Sequence, residues 1–360
     1  MDNRERFLRT MRYEPVDHPP LVVGGPWREA RERWETEGLP KGADLYDYFG
    51  LEPLRLVNVG RATRIFPDFE ARELERTDDY VVKINARGVK VKVTRAMEHS
   101  GPEHYLDYPI KGPADKAWLA ERLDPDHPGR DDNAWRRKLE EHAGRPTALL
   151  LVDFGSFYGD LHEHMGTAAM SYALYDQPDF VHWYNDRIAT LCEAAILKAL
   201  PTGSVDVMGG HEDMCFKNGP LASPAMFREF LTPYYRRTVG LARKLGQWLF
   251  WMDSDGDIRQ LIPMWLEVGV NLFAPCEVAA GVDVREVRRE FGREARMFGG
   301  IDKRALAAGP EAIKREVLPK LAVARDGGYV PSVDHGIPPD VSFANYCFYI
   351  ELLKAELGVA

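Results

Sequence analysis

The stretch WLFWMDSDGD, residues 248–257, sets five apolar, largely aromatic residues directly before three acids at alternate positions, Asp253, Asp255 and Asp257. Its first half has the composition of a buried strand and its second half is turn-forming. Residues two apart on a strand share a face, so Asp253 and Asp255 are expected to converge if the strand runs through them. Carboxylates packed that closely repel unless a cation, a proton or a polar ligand compensates them. The segment therefore reads as a strand that ends in a site.

The same grammar recurs along the chain. Apolar, β-rich runs stand at Leu21–Val23, Leu54–Val57, Ala148–Val152, Val205–Met208, Trp248–Met252, Asn271–Ala274, Met297–Phe298 and Tyr329–Val333, eight in all. Amphipathic helical patterns lie between many of them, including Asp179–Leu200 and Ser223–Leu245, the latter opening with a Ser-Pro N-cap pair. Strands alternating with helices predict parallel pairing and an α/β fold, and eight such units predict a (β/α)8 TIM barrel with its chemistry on the loops after the strands. Residues 66–112 depart from this rhythm. YVVKINARGVKVKVTRAM alternates like an antiparallel β-hairpin with Arg87-Gly88 at its turn. The expectation is one domain over residues 1–360 with an insertion at about 66–146.

Composition bounds the function. A net charge of −9 argues against nucleic acid or an anionic membrane surface as partner, since phosphate binding needs clustered Lys and Arg. Four dispersed cysteines, no apolar leader and no membrane-length apolar run fit a cytoplasmic protein without disulfides.

The residues after the expected strands are strongly acidic. Gly24, Gly25 and Trp27 follow the first, Asn58 and Arg61 the second, and Asp153, Ser156 and Tyr158 the third. His211, Glu212 and Asp213 follow the fourth, the Asp253–Asp257 acids the fifth, Glu277 the sixth, Asp302 and Lys303 the seventh, and Asp334 and His335 the eighth. Carboxylates with an imidazole suit Zn²⁺, Mn²⁺ or Fe²⁺, or else a cationic or hydroxyl-bearing substrate with no metal. Asp253, Asp255 and His335 are the expected metal ligands, and Glu212, Asp213 and His335 the expected catalytic groups. Trp27, Asn58, Tyr158, Trp251, Glu277 and Asp302 are the expected substrate contacts. Blander readings exist for each: DSDGD as a solvated turn, Glu212 and Asp213 as partners of Lys217 or Arg228, the aromatic residues as core. A calcium loop is excluded by the missing terminal Glu, and Cys215 and Cys276 read as small buried hydrophobes.

The opening NRERFLRTMRYEPVDHPPL, the segment GPLASPAMFREFLTPYYRR, the Gly-Gly-Ile-Asp of residues 299–302 and the ending GGYVPSVDHGIPPDVSFANY resemble the uroporphyrinogen decarboxylase superfamily. That superfamily also contains corrinoid-dependent methyltransferases. The resemblance implies a single barrel. True decarboxylases carry an Arg-Gln-Ala-Gly-Arg loop after the first strand and a catalytic Asp after the second. Here the loop reads GGPWREARERW and Asn58 stands at the Asp, so only His335 keeps the decarboxylase pattern. The methyltransferase branch has zinc on a His-x-Cys pair after the fifth strand and a Cys after the eighth. Asp253 and Asp255 match the pair and His335 or its neighbour the last ligand, each thiolate replaced. What the resemblance implies is a methyltransferase-like enzyme with a divalent metal, zinc first among them, acting on a small molecule with a corrinoid protein as partner. The alternatives are uroporphyrinogen decarboxylation and a non-catalytic barrel that binds a small ligand.

Overall fold

A computed structural model describes residues 1–60, 64–98, 103–130 and 132–359. The strands in chain order are β1 (Arg55–Gly60), β2 (Arg72–Arg76), β3 (Tyr80–Ile84), β4 (Lys90–Thr94), β5 (His104–Asp107), β6 (Ala148–Asp153), β7 (Val207–His211), β8 (Cys215–Phe216), β9 (Gly219–Pro220), β10 (Phe250–Asp253), β11 (Leu272–Ala274), β12 (Arg296–Ile301) and β13 (Tyr329–Val333). Seven of them form a parallel sheet in the order β1-β6-β7-β10-β11-β12-β13, curled into a TIM-barrel-like wall. All the expected runs but the first lie in it.

The first run, Leu21–Val23, forms no ladder. Pro19 and Pro20 offer no N–H, and Gly24-Gly25-Pro26 interrupts the chain again, so pairing has few donors to use. The segment still runs along β13: Pro26 makes an isolated parallel bridge with Ile337, and a Cβ on Gly24 would lie 3.8 Å from Val333. Leu21 and Val23 are buried there with Val333, Ile337 and Tyr346.

The expected hairpin is real but only half of its element. β2-β3-β4-β5 form a four-stranded antiparallel sheet, whose central turn places Gly88 at φ +78°. The helix Asp132–His142 packs back on β1 and β6, so the chain has rejoined the barrel wall before residue 146. The helix expected over Ser223–Leu245 starts as predicted, Ser223 accepting from Met226 N at 3.2 Å. It then widens into a π turn at Phe227–Leu231. Pro233, with no N–H and a ring that crowds the preceding turn, accounts for that break.

Inward positions alternate along each strand. Leu149 and Leu151, Val207, Leu249 and Trp251, Leu272 and Ala274, Phe298 and Val330 form the apolar barrel interior, closed from below by Phe7 and Met11 of the helix Asn3–Met11. The next inward step upward brings Asp153, His211 and Asp253 to the mouth. No helix among the described residues is long and apolar enough to cross a membrane.

Candidate metal centre and its surroundings

β10 ends at Asp253, and this decides which acids meet. Asp253 stands opposite His211 in the β7–β10 register. Asp213, two residues past the end of β7, has φ +41°, a left-handed turn that Asp tolerates. Its Oδ1 accepts from Asp255 N at 3.0 Å, and its Oδ2 lies 3.3 Å from His211 Nε2. Ligand atoms of His211, Asp213 and Asp253 all lie within 4.8 Å of one another, the one such group among the described residues. Donors around a tetrahedral Zn²⁺ at about 2.0–2.2 Å are separated by roughly 3.4 Å, so small rotations complete the fit.

The expected set Asp253, Asp255 and His335 is therefore rearranged. Past Asp253 the two-residue alternation no longer holds, and Asp255 turns to His335. His335 Nε2 lies 3.1 Å from Asp255 Oδ1, and its Nδ1 lies 3.4 Å from Asp334 Oδ1. Asp334 is buried, with Oδ2 accepting from Val278 N at 3.1 Å. Asp257 faces elsewhere, paired with Arg259 at 2.8 Å.

The electrostatics separate the two groups. Burial pushes the Asp253 carboxyl up to about 6; His211 opposes the shift, while Asp255 and Asp213 add to it. Burial would depress His211, but Asp213, Asp253 and Glu163 together raise it. Burial likewise works against a charged His335, yet the contacts with Asp255 and Asp334 carry it up to about 10, an imidazolium held between carboxylates. Because that pKa is raised above the ordinary 6.5, the stability it contributes is complete below about pH 6.5 and disappears as pH rises through about 10. The stability gap between wild type and His335→Asn, read from urea unfolding, is thus expected to be widest near neutral pH or below and to close toward pH 10. A gap that stays constant across this range would refute the paired imidazolium.

Glu212 is not at the mouth. Its carboxylate is wholly buried and accepts from Phe157 N at 2.7 Å, Tyr158 N at 2.9 Å and Gly159 N at 2.6 Å, and from the Tyr235 hydroxyl. This is a clamp on the loop after β6, and the catalytic role expected for Glu212 is withdrawn. Tyr158 is also corrected: it is fully buried, stacks on His162 with ring centroids 5.4 Å apart and does not line the cavity at the mouth. Asp302 is a helix N-cap, accepting from Arg304 N at 2.8 Å and paired with the Arg304 side chain.

The other expected contacts do surround the mouth. Glu277 accepts from Gly256 N at 2.8 Å and so shapes the DSDGD turn. Asn58 donates to Asp153 Oδ1 at 2.8 Å. Trp251 is nearly buried and packs against Phe298, the tilted rings 4.8 Å apart at their centroids, and it lines a cavity beside the trio. The Trp27 indole covers Gly336, its Nε1 lying 2.6 Å from where a Cβ there would stand. Arg61 lies outside the described residues.

His211 is not among the ligands expected from the sequence, and Glu163 is not among its expected site residues. His211 had a signal, since it sits two and four residues beyond the inward positions of VMGGH, with Gly209 between. Glu163 had none: it reaches the mouth from the helix Gly159–Met165, with Oε1 3.9 Å from His211 Nδ1 and Oε2 3.2 Å from Arg87.

Comparison with known proteins agrees with this architecture. The chain is 30% identical to a uroporphyrinogen decarboxylase of Pseudomonas syringae pv. tomato over 182 residues, 48% of this chain and 47% of that enzyme. It thus spans about half the length of such curated relatives. A uroporphyrinogen decarboxylase of Chloroherpeton thalassium is 21% identical over 99% of both chains. Among solved structures, a methyltransferase from Methanosarcina mazei shares the fold, with a TM-score of 0.59 at 16% identity over 99% of each chain. The uroporphyrinogen decarboxylase family model matches residues 162–355, more than half of the sequence and the whole stretch from His211 to His335, and the chain belongs to that family.

Proposed function

We propose that the protein is a methyltransferase-type enzyme of this family, acting on a small molecule at a divalent cation held by His211, Asp213 and Asp253. The observation that carries this reading is the convergence of one imidazole and two carboxylates at the barrel mouth. Two oxygens and one nitrogen suit Zn²⁺, with Mn²⁺ or Fe²⁺ as harder alternatives. Bound there, the cation would act as a Lewis acid on a heteroatom of the substrate. The chain's own groups arrange the rest. Asp213 is fixed by Asp255 N so that its second oxygen faces His211, and Glu163 orients the far side of the imidazole. The Asp255–His335–Asp334 group sets an imidazolium near the trio, both ring nitrogens facing carboxylates, and its charge acts on Asp253.

Methyl transfer joins a nucleophile's lone pair to the methyl carbon while the bond to the donor breaks and its electrons stay with the donor. A corrinoid on a partner protein fits the donor role. Uroporphyrinogen decarboxylation is the second reading, favoured by the names of the curated relatives. Two incubations separate them. With methylcobalamin and a thiol such as 2-mercaptoethanol, zinc-loaded protein is expected to form the methyl thioether, and with uroporphyrinogen it is expected to form no coproporphyrinogen. Steady coproporphyrinogen production with no thioether would reverse the ranking.

A further inference from the structure

Beside the trio the barrel interior does not fill. A cavity of about 320 Å³ has His211 and Asp253 on its edge and Leu56, Leu151, Trp251 and Gly209 in its wall. A strand position without a side chain borders it. Gly209 stands in register with Trp251 on one side and Asp153 on the other, so a side chain there would project into the layer that Leu151 and Trp251 leave open.

The backbone does not require glycine at 209. The residue is not among those with positive φ, and an added Cβ would meet only Leu151 Cδ2 at 3.4 Å and Asp153 Oδ1 at 3.8 Å, both ordinary contacts. Its neighbour is different. A Cβ on Gly210 would come within 2.8 Å of the Phe154 ring, 3.0 Å of Gly155 O and 3.1 Å of Met252 Cε, so packing alone demands glycine there. Glycine inside a strand packs nothing and loses more chain entropy than any other residue, so its presence at 209 asks for a reason other than the fold.

We infer that Gly209 and Trp251 form the specificity pocket of the enzyme, taking a compact molecule with an apolar, flat body and a single hydroxyl, ether or thiol. The body lies against the Trp251 indole, and the heteroatom points at His211 and Asp253. At about 320 Å³ the pocket sits at the low end of small-molecule sites and suits a one-ring substrate rather than a macrocycle. The inference rests on the metal reading of the trio, because the heteroatom is placed by what His211, Asp213 and Asp253 hold.

The test is titration calorimetry on zinc-loaded protein with benzyl mercaptan and, as its donor-free counterpart, toluene. Gly209→Val is expected to weaken benzyl mercaptan at least about tenfold and Gly209→Ala less, with zinc stoichiometry unchanged and the melting temperature not lowered in either. Toluene should bind wild type more weakly than the thiol and lose affinity in the same variants. Equal affinity for benzyl mercaptan in wild type and Gly209→Val, or none in either, with zinc bound normally, overturns the pocket and leaves the trio standing. Failure of wild type to bind zinc overturns the trio and the inference with it.

Discussion

Replacing His211 by alanine is expected to lower zinc affinity by more than about a hundredfold, while Glu163→Ala lowers it about 10–100-fold. His211 supplies the nitrogen of the trio, and its Nε2 already lies 3.3 Å from Asp213 Oδ2. Glu163 stands behind it, its Oε1 3.9 Å from Nδ1, an ion-pair rather than a hydrogen-bond distance, from which a small rotation would let it accept the other ring proton. Arg87, at the turn between β3 and β4, holds the second Glu163 oxygen at 3.2 Å and also reaches Glu103 at 3.3 Å. The inserted sheet thereby braces His211, the proposed nitrogen ligand. Competition with a chromophoric chelator would measure all three variants, and Arg87→Ala should fall between wild type and Glu163→Ala. His335→Asn should leave zinc affinity within about threefold, because His335 pairs with Asp255 and not with the trio. The reverse pattern, zinc lost with His335 and kept without His211, would restore the ligand set that the sequence alone suggests.

How far the sequence carries is clearest at the strand ends. Seven apolar runs became the parallel sheet because fully buried strands must be apolar on both faces, a signal that survives without any knowledge of pairing. Leu21–Val23 looked equivalent by composition, but its prolines and glycines decide against a ladder, and their effect depends on neighbours that the run itself does not reveal. The acidic mouth was legible as a crowd of carboxylates. Its partition was not, because β10 ends at Asp253, two residues short of Asp255, and that sends Asp255 to His335 rather than to Asp253. Glu212 and Asp213 show the same limit: adjacent acids after one strand, one wholly buried under the loop of residues 155–159 and the other at the mouth. Only strand register and the left-handed turn at Asp213 distinguish them.

Glu212 is where the fold is most exposed to a single substitution. Four close donors converge on its two oxygens, three consecutive backbone N–H groups at Phe157, Tyr158 and Gly159 and the Tyr235 hydroxyl, with Ser156 Oγ farther off at 3.4 Å. Burial pushes its pKa up, yet every one of these donors favours the carboxylate, which accepts only. Glu212→Ala strands all four donors in a site with no access to water and is expected to cost about 3–5 kcal/mol of stability. Glu212→Gln keeps the volume but points an amide NH₂ at backbone N–H groups, with an expected cost of about 2–4 kcal/mol. Urea unfolding measures both. A catalytic general base would behave differently, since Gln would then leave stability nearly untouched and remove activity alone. A Glu212→Gln variant as stable as wild type within about 0.5 kcal/mol would mean that the clamp carries no load and that Glu212 belongs to the chemistry after all.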